Sequence, residues 1–267
     1  MSQTTKAPPA PCILGIVTAD MLAARQYPAA LWACGGIELR ADGMPVDAIG
    51  GAVADFDVER SRRGFKGPVI FTLRLRRDGG AWDDGRSEER NAVWESLPPG
   101  TCDWADLEVE EIASVSPTAL DSLRSSGVKI LLSHHAFSPE DSAVWETAYA
   151  AMKTFGPDGV KFAVALRDKG HAESLLAFAR RVSEEFSESC VIGMGPAGSL
   201  TRVVSPLLGC PFTYGFLGDA AVAPGQLSAP HMRAFFARAA TEFPGRAASD
   251  SELLDWAESL LAKVNGA

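Results

Sequence analysis

Lys161 is the residue whose type and position best suit covalent chemistry, because it stands in the otherwise apolar run of residues 159–166. Burial of an ammonium group favours its neutral form, and a neutral amine can attack a ketone or an aldehyde to form an imine. A lysine at the start of a strand can also bury its stem and keep its charge in water. Lys129 occupies a similar run, so the pattern by itself leaves both interpretations open.

Two adjacent histidines follow the apolar run of residues 128–133. Successive side chains of a strand point to opposite faces, so of His134 and His135 only His135 shares a face with Ser133. An imidazole exchanges protons near neutral pH, which suits general acid–base catalysis, although a histidine at a strand end can also be a hydrogen-bonded structural residue. The four histidines show no metal-binding spacing, and we expect no metal site.

Polar side chains also share a face near the ends of three other apolar runs. The pairs are Glu38 with Arg40, Thr72 with Arg74, and Asp106 with Glu108. Charged groups are costly to bury unless they pair with each other or with a ligand. Three further candidates lie past the predicted strands, where Asp78 precedes a double glycine and Arg202 and Gln226 follow later runs. The Arg202 guanidinium could bind a carboxylate through two hydrogen bonds, and the Gln226 amide could add a third.

These side chains need a scaffold that brings strand ends together, and the chain supplies eight short apolar runs separated by stretches of helical period, one of which predicts a helix over residues 138–155. Such alternation is typical of βα units, and eight of them within about 250 residues predict a TIM (β/α)8 barrel, whose active site lies at the carboxyl ends of its strands. The predicted strands are residues 12–17, 36–40, 68–74, 103–109, 128–133, 160–166, 190–194 and 212–216.

The barrel is predicted to occupy residues 12–242, after a flexible tail over residues 1–11. Residues 243–267 are expected to form a loop and an additional C-terminal helix packed on the barrel. An open doubly wound sheet is the competing layout, but it would normally carry a glycine-rich phosphate turn after its first strand. Residues 16–20 contain no glycine.

Composition narrows the possible partners and compartments. The chain has 267 residues and a formal net charge of −9, so neither nucleic acid nor an anionic membrane surface is an expected partner. The five cysteines are scattered without a CxxC pair, and the first residues lack the apolar stretch of a secretory signal. We therefore expect a cytoplasmic protein with reduced thiols.

Taken in order, these segments resemble the type I 3-dehydroquinate dehydratases, Schiff-base enzymes of the shikimate pathway. Residues 37–42 resemble the family's E-x-R-x-D segment, and residues 133–137 resemble its S-Y-H-D-F motif. Residues 159–164 resemble the strand that bears the imine-forming lysine. The remaining matches are residues 70–74 and 78–80 to F-T-x-R and E-G-G, and residues 194–195, 201–202 and 223–226 to M-G, S-R and A-P-G-Q.

The resemblance implies a lyase that converts 3-dehydroquinate to 3-dehydroshikimate. It assigns the imine to Lys161 and general acid–base catalysis to His135, with Asp78 as the third catalytic residue. The residues that it assigns to substrate binding are Glu38, Arg40, Arg74, Arg202 and Gln226. It also implies a homodimer, and no metal or organic cofactor.

Four positions depart from the family pattern. Asp78 stands where the family has glutamate. Ala136 replaces the aspartate that follows the histidine, which removes an acidic neighbour expected to orient the imidazole and raise its pKa. Val222 replaces a serine, and Gly15 stands where a serine is expected in the first strand. Because these last two changes make the pocket less polar, a related cyclic keto-acid stays open as the substrate. The first two leave open a binding protein that has lost catalysis.

Overall fold

Eight parallel strands form a nearly closed barrel in the computed structural model, which describes residues 10–218 and 225–265. In hydrogen-bonded order the strands run β7-β6-β5-β4-β3-β2-β1-β8. They are β1 (Cys12–Val17), β2 (Gly36–Arg40), β3 (Val69–Thr72), β4 (Trp104–Glu108), β5 (Lys129–Ala136), β6 (Gly159–Ala165), β7 (Ser189–Met194) and β8 (Phe212–Gly215). The predicted TIM barrel is confirmed, and each strand overlaps its predicted run.

Helices cover the outside of the barrel between successive strands. They are α1 (Ala19–Ala24), α2 (Val46–Arg62), α3 (Ser87–Ser96), α4 (Pro117–Ser125), α5 (Ser142–Phe155), α6 (Lys169–Glu185), α7 (Thr201–Leu208), α8 (Ala229–Glu242) and α9 (Asp250–Asn265). Side-chain caps define several starts, since Ser116 accepts a hydrogen bond from the Ala119 amide and Asp168 accepts one from the His171 amide. These caps fix the residues at which α4 and α6 begin.

Two elements around the histidines differ from their predicted bounds. Strand β5 continues to Ala136, three residues beyond its predicted end, because His135 and Ala136 still pair with β6. Helix α5 begins at Ser142, after an extended Asp141, and not at residue 138. The Glu140 side chain in the intervening loop binds His134 at 2.7 Å. Both histidines are therefore held inside a strand.

Apolar and charged side chains occupy different levels inside the barrel. Toward the amino ends of the strands the interior is apolar, with Leu14, Ile70 and Leu131 completely buried and Trp104 packed edge-to-face on Phe212. Toward the carboxyl ends the interior also holds charged side chains, among them Glu38 of β2, Asp106 of β4 and Lys161 of β6. The apolar level therefore forms the floor beneath the charged one.

Helix α9 packs against the outer helices of the barrel. Trp256 contacts the rings of Phe235 and Phe243 at centroid distances of 5.5 and 5.4 Å. Arg180 of α6 forms an ion pair with Asp250 at the start of α9. The additional helix is thus present where the sequence predicted it. Within residues 10–218 and 225–265, no helix is both long enough and apolar enough to cross a membrane.

Candidate active site

A cavity of about 110 Å³ opens at the carboxyl ends of the strands. Every residue that the sequence assigned to the site lines it: Glu38, Arg40, Arg74, Asp78, His135, Lys161, Arg202 and Gln226. Glu38 and Arg40 come from β2, His135 from β5 and Lys161 from β6. Arg74 lies just after β3, and the remaining residues lie further along the segments that follow β3, β7 and β8. The barrel therefore brings together side chains that are far apart in the sequence.

Lys161 lies at the centre of the site, with only 6% of its side chain exposed. Its Nζ is 2.9 Å from Asp106 Oδ2 and 3.3 Å from Glu38 Oε1. The same nitrogen lies 4.4 Å from the centre of the Tyr214 ring. Of the two interpretations of this lysine, the surface one is wrong, because its head does not reach bulk water. The structure instead buries the nitrogen between two carboxylates.

Arg74 is a buried guanidinium whose terminal nitrogens are occupied by protein groups. Nη2 donates to Asp106 at 2.7 Å, and Nη1 donates to Glu108 at 2.8 Å and to Ser133 at 3.0 Å. Arg90 of α3 also donates to Glu108. Burial raises the pKa of a carboxyl group, but the charges of Arg74 and Lys161 hold the pKa of Asp106 below its ordinary value.

Six buried side chains of opposite charge are joined by these contacts, and we call them the inner cluster. Lys161, Arg74 and Arg90 are its cations, and its acids are Glu38, Asp106 and Glu108. All are 5% exposed or less. Because formal charges balance within the group, each buried ion has a partner that offsets its loss of hydration.

His135 faces the cavity, whereas His134 faces the outer layer between Glu110 and Glu140. The Nδ1 atom of His135 lies 3.2 Å from Arg74 Nη1. A guanidinium can only donate, so Nδ1 is the acceptor and the neutral ring carries its proton on Nε2. Burial and the charges of Arg74 and Lys161 lower the pKa of His135 well below its usual 6.5.

Asp78 lies at the rim of the cavity with 14% of its side chain exposed. Burial and the nearby Glu108 raise the pKa of Asp78 to about 6. Its Oδ2 accepts no hydrogen bond from the described residues, and the nearest cation, Arg77 Nε, is 3.8 Å away. No hydrogen bond joins Asp78 to His135 within the same part of the chain, so the shorter acid leaves the imidazole to Arg74.

Arg40 is the cation of the site nearest the opening. Both carboxylate oxygens of Asp42 bind it, at 2.7 and 3.0 Å, and Asp42 also accepts the Ala81 amide at 2.8 Å. This bidentate pair fixes the guanidinium plane and ties β2 to the loop after β3. Arg40 therefore presents an oriented positive edge to the cavity.

Arg202 of α7 and Gln226 of the loop after β8 also line the cavity. Burial lowers the pKa of Arg202 to about 10, so the guanidinium remains charged at neutral pH. Gln226 follows Gly225, whose φ of +69° and position against Gly195 exclude a side chain, since a Cβ there would lie 2.2 Å from the Gly195 carbonyl oxygen. This close contact seats the last loop against the loop after β7.

The structure corrects what was expected of two departures from the family pattern. Gly15 does not face the pocket, because a Cβ there would meet Cys34 and Leu31 of the outer layer; its neighbour Ile16 lines the cavity instead. Ala136 likewise packs in the outer core and not beside the His135 ring. Val222 lies outside the described residues, so its expected effect on the pocket stays a prediction.

Sequence reasoning missed Tyr214 as a site residue. It lies on β8 beside Leu14 of β1, is 4% exposed, and borders the cavity directly against Lys161. The available signal was its alternation with the inward-facing Phe212. Asp106 and Glu108 were recognised as inward-facing, but their role as partners of Arg74 and Lys161 was not.

A larger cleft of about 890 Å³ opens at the amino ends of the strands, around Lys129 and Trp104. It contains none of the predicted site residues, and the carboxyl end is where TIM barrels place their chemistry. In the part of the chain that the structure describes, no group of three His, Cys, Asp or Glu side chains could hold a metal ion.

The fold and the cavity define a TIM-barrel protein with an enzyme-like site at the carboxyl end of its barrel. The chain belongs to the Type I 3-dehydroquinase family, whose model matches residues 16–240.

Proteins named 3-dehydroquinate dehydratase are among its relatives. The chain is 31% identical over 192 residues to the one from Pyrobaculum aerophilum, a match that covers 71% of this chain and 60% of that protein. It is 30% identical over 167 residues to the one from Methanococcoides burtonii, covering 62% of this chain and 69% of that protein. The chain thus spans less than two thirds of the Pyrobaculum protein.

Solved structures of two proteins with that name share the fold. The protein from Geobacillus kaustophilus superposes with a TM-score of 0.71 at 22% identity, covering 87% of this chain and 92% of that one. The protein from Aquifex aeolicus gives a TM-score of 0.68 at 21% identity, covering 87% and 99%. At this identity the likeness supports the barrel itself.

Proposed function

We propose that this chain is a 3-dehydroquinate dehydratase, a carbon–oxygen lyase that forms 3-dehydroshikimate through a Schiff base on Lys161. The observation that carries the proposal is the position of the Lys161 nitrogen, which is buried in a small cavity beside His135 and three arginines. Membership of the Type I 3-dehydroquinase family, and relatives that carry the dehydratase name, supply the substrate.

Imine formation uses only protons that the site already holds. Lys161 gives up one ammonium proton and its nitrogen attacks the C3 ketone carbon, which forms the N–C bond. The carbonyl oxygen then leaves as water after it receives two protons, both of them originally on the ammonium group. His135, which faces the same cavity, passes these protons to the oxygen, and one positive charge remains on the iminium.

The iminium makes the elimination possible because it draws electrons from the neighbouring carbon. His135 removes the C2 proton, the C2–C1 double bond forms, and the C1 hydroxyl leaves as water with a proton returned by the same imidazole. Water then reverses the first step, which releases the ketone and restores Lys161. Protons and electrons balance over the cycle, so no oxidant or reductant is needed.

The resting tautomer of His135 sets a condition on this cycle. In the free protein Nδ1 accepts from Arg74, so the cavity faces Nε2–H, which is a donor and not a base. Before it can take the C2 proton, the ring must exchange tautomers or release Arg74. Asp106, Glu108 and Ser133 hold that guanidinium independently, so Arg74 can leave the ring without losing its own position.

The remaining side chains fit a small acid that carries hydroxyl groups. Arg202 and Arg40 supply two cationic groups to the cavity from different elements, which suits a ligand that carries a carboxylate and hydroxyl groups. Glu38 and Gln226 add acceptors and a donor. We assign Arg74 chiefly to positioning His135 and Asp106, and Asp78, whose pKa lies near neutrality, to proton exchange at the rim.

The test compares wild type, Lys161→Met and Lys129→Met. Purified protein is mixed with 3-dehydroquinate, the conjugated enone is followed by absorbance, and borohydride is added before the intact mass is measured. We expect turnover and a trapped adduct in wild type and in Lys129→Met, with activity in Lys161→Met lower by on the order of a thousandfold or more. Near-normal turnover without Lys161 would refute the Schiff-base mechanism.

The isolation of Asp78 from His135 favours one second candidate, a binding protein that has kept the pocket and lost turnover. It predicts that 3-dehydroquinate raises the melting temperature without any growth of enone absorbance. A related cyclic keto-acid as the true substrate predicts faster turnover of that compound in a small panel. The homodimer and the cytoplasmic location stay predictions.

A further inference from the structure

Tyr214 occupies an unusual position for a buried tyrosine, because its ring face lies against the nitrogen of Lys161. The nitrogen is 4.4 Å from the ring centre, and the tyrosine is 4% exposed. Asp106 at 2.9 Å and Glu38 at 3.3 Å also lie beside the nitrogen. The ring thus lies beside the reacting atom together with two carboxylates, and the mechanism above does not use it.

We propose that Tyr214 is a catalytic residue whose ring face stabilises the positive charge on the Lys161 nitrogen in both the ammonium and the iminium. The iminium part of this proposal rests on the Schiff base proposed above. The ammonium part rests only on contacts in the free protein. An aromatic face attracts a cation within about 6 Å, and more strongly where water is excluded.

A ring offers something at this position that the two carboxylates do not. Asp106 and Glu38 attract the charge but also accept protons and hydrogen bonds, and an iminium has only one N–H to donate. The ring attracts the charge without a proton acceptor, so its interaction survives when the nitrogen changes from three N–H bonds to one. Burial and the nearby Glu38 keep the phenol itself neutral, because they raise its pKa well above 10.

The phenol oxygen allows the ring to be tested separately from the hydroxyl group. Within the described residues this buried oxygen has no hydrogen-bond partner, so nothing shows that the hydroxyl anchors the ring. Removing a buried hydroxyl that makes no hydrogen bond costs little stability. Tyr214→Phe therefore keeps the aromatic face, and Tyr214→Leu removes it.

The first experiment measures how much covalent adduct borohydride traps at saturating 3-dehydroquinate. The iminium keeps only one N–H for the two carboxylates, so its charge depends on the ring more than the charge of the ammonium does. We therefore expect Tyr214→Phe to trap within about twofold of wild type and Tyr214→Leu to trap about fivefold less. Because leucine also changes packing, phenylalanines with one, two and three ring fluorines are then placed at position 214. Fluorine weakens the ring's attraction for a cation with little change in shape, so trapping should fall stepwise. Equal trapping across the fluorinated series would overturn the proposal.

The second experiment does not depend on the substrate. Lys161 is reacted with propionaldehyde and cyanoborohydride across a pH range, and modification is read on its own peptide by mass spectrometry. Loss of the ring destabilises the ammonium, so the pH of half-maximal modification should move down by about one unit in Tyr214→Leu but not in Tyr214→Phe. An unmoved midpoint would refute the ammonium half, even if 3-dehydroquinate is not the substrate. A different outcome is a shifted midpoint in Tyr214→Leu together with no adduct between wild type and 3-dehydroquinate. That outcome would refute the proposed function alone, and the role of Tyr214 would be confined to the ammonium.

Discussion

Replacing Asp78 by asparagine should make the protein more stable at neutral pH and change its stability little in mild acid. The carboxyl group is largely buried, its Oδ2 accepts no hydrogen bond from the described residues, and Glu108 lies nearby. These surroundings raise its pKa from 3.8 to about 6. Asparagine resembles the protonated acid and has no charge, so the energetic cost of burying the carboxylate should disappear.

The direction follows from where each state binds its proton. The unfolded chain releases this proton near 3.8 and the folded chain near 6, so stability falls as the pH rises through that window. The difference of 2.2 pKa units corresponds to about 3 kcal/mol above the window at 1.36 kcal/mol per unit. Partial exposure and Arg77 at 3.8 Å reduce this, so we expect about 2 kcal/mol near pH 7.5 and about 0.5 kcal/mol near pH 4.

Urea unfolding of wild type and Asp78→Asn at both pH values measures the difference. Asp121→Asn on the exposed face of α4 is the matched control, and it should change stability by less than about 0.5 kcal/mol at either pH. In Asp78→Asn we also expect turnover to fall at least about tenfold, because the rim loses a group that exchanges protons. An equal effect on stability at both pH values, or a loss of stability near pH 7.5, would show that this account of Asp78 is wrong.

Two further substitutions test the inner cluster and the last loop. Asp106→Asn should lower the free energy of unfolding by about 3 kcal/mol, because two buried cations lose a shared anion. As a control, Asp255→Asn at an exposed position should lower it by under about 1 kcal/mol. Similar losses in the two variants would contradict the importance of the inner cluster for stability. Gly225→Ala should raise KM about tenfold with little effect on borohydride trapping at saturation, because a Cβ would push Gln226 away by clashing with Gly195. Gly245→Ala, which also has a positive φ but open space around it, should leave KM unchanged, and a matching rise there would argue against the close contact.

The barrel could be predicted because its strands are fully buried and therefore read as apolar runs. The same alternation that buries Leu131 on β5 points Ser133 and His135 inward two and four residues later. Parity along each strand, together with the rule that strand ends meet at one rim, was therefore enough to gather the candidate residues into one cavity.

What could not be predicted depends on register and on side-chain reach. Sequence spacing does not show that Arg74 extends across to Asp106 and Glu108, so it was expected to bind substrate alone. Gly15 was assigned to the pocket because its place in the strand was counted from the family pattern, but a side chain there would point outward toward Cys34 and Leu31. Tyr214 looked like one more apolar strand residue until the structure placed its ring against Lys161.

The balanced charges of the inner cluster also bear on how such a site can diverge. Changing any one of Lys161, Arg74 or Asp106 removes one partner of a buried charge and unbalances the cluster, and restoring the balance needs a second substitution in a residue distant in the sequence. Asp78 at the rim and Ala136 in the outer core belong to no such group. Variation can therefore accumulate around the cluster one residue at a time, while a change in one of its six members calls for a matching change in another.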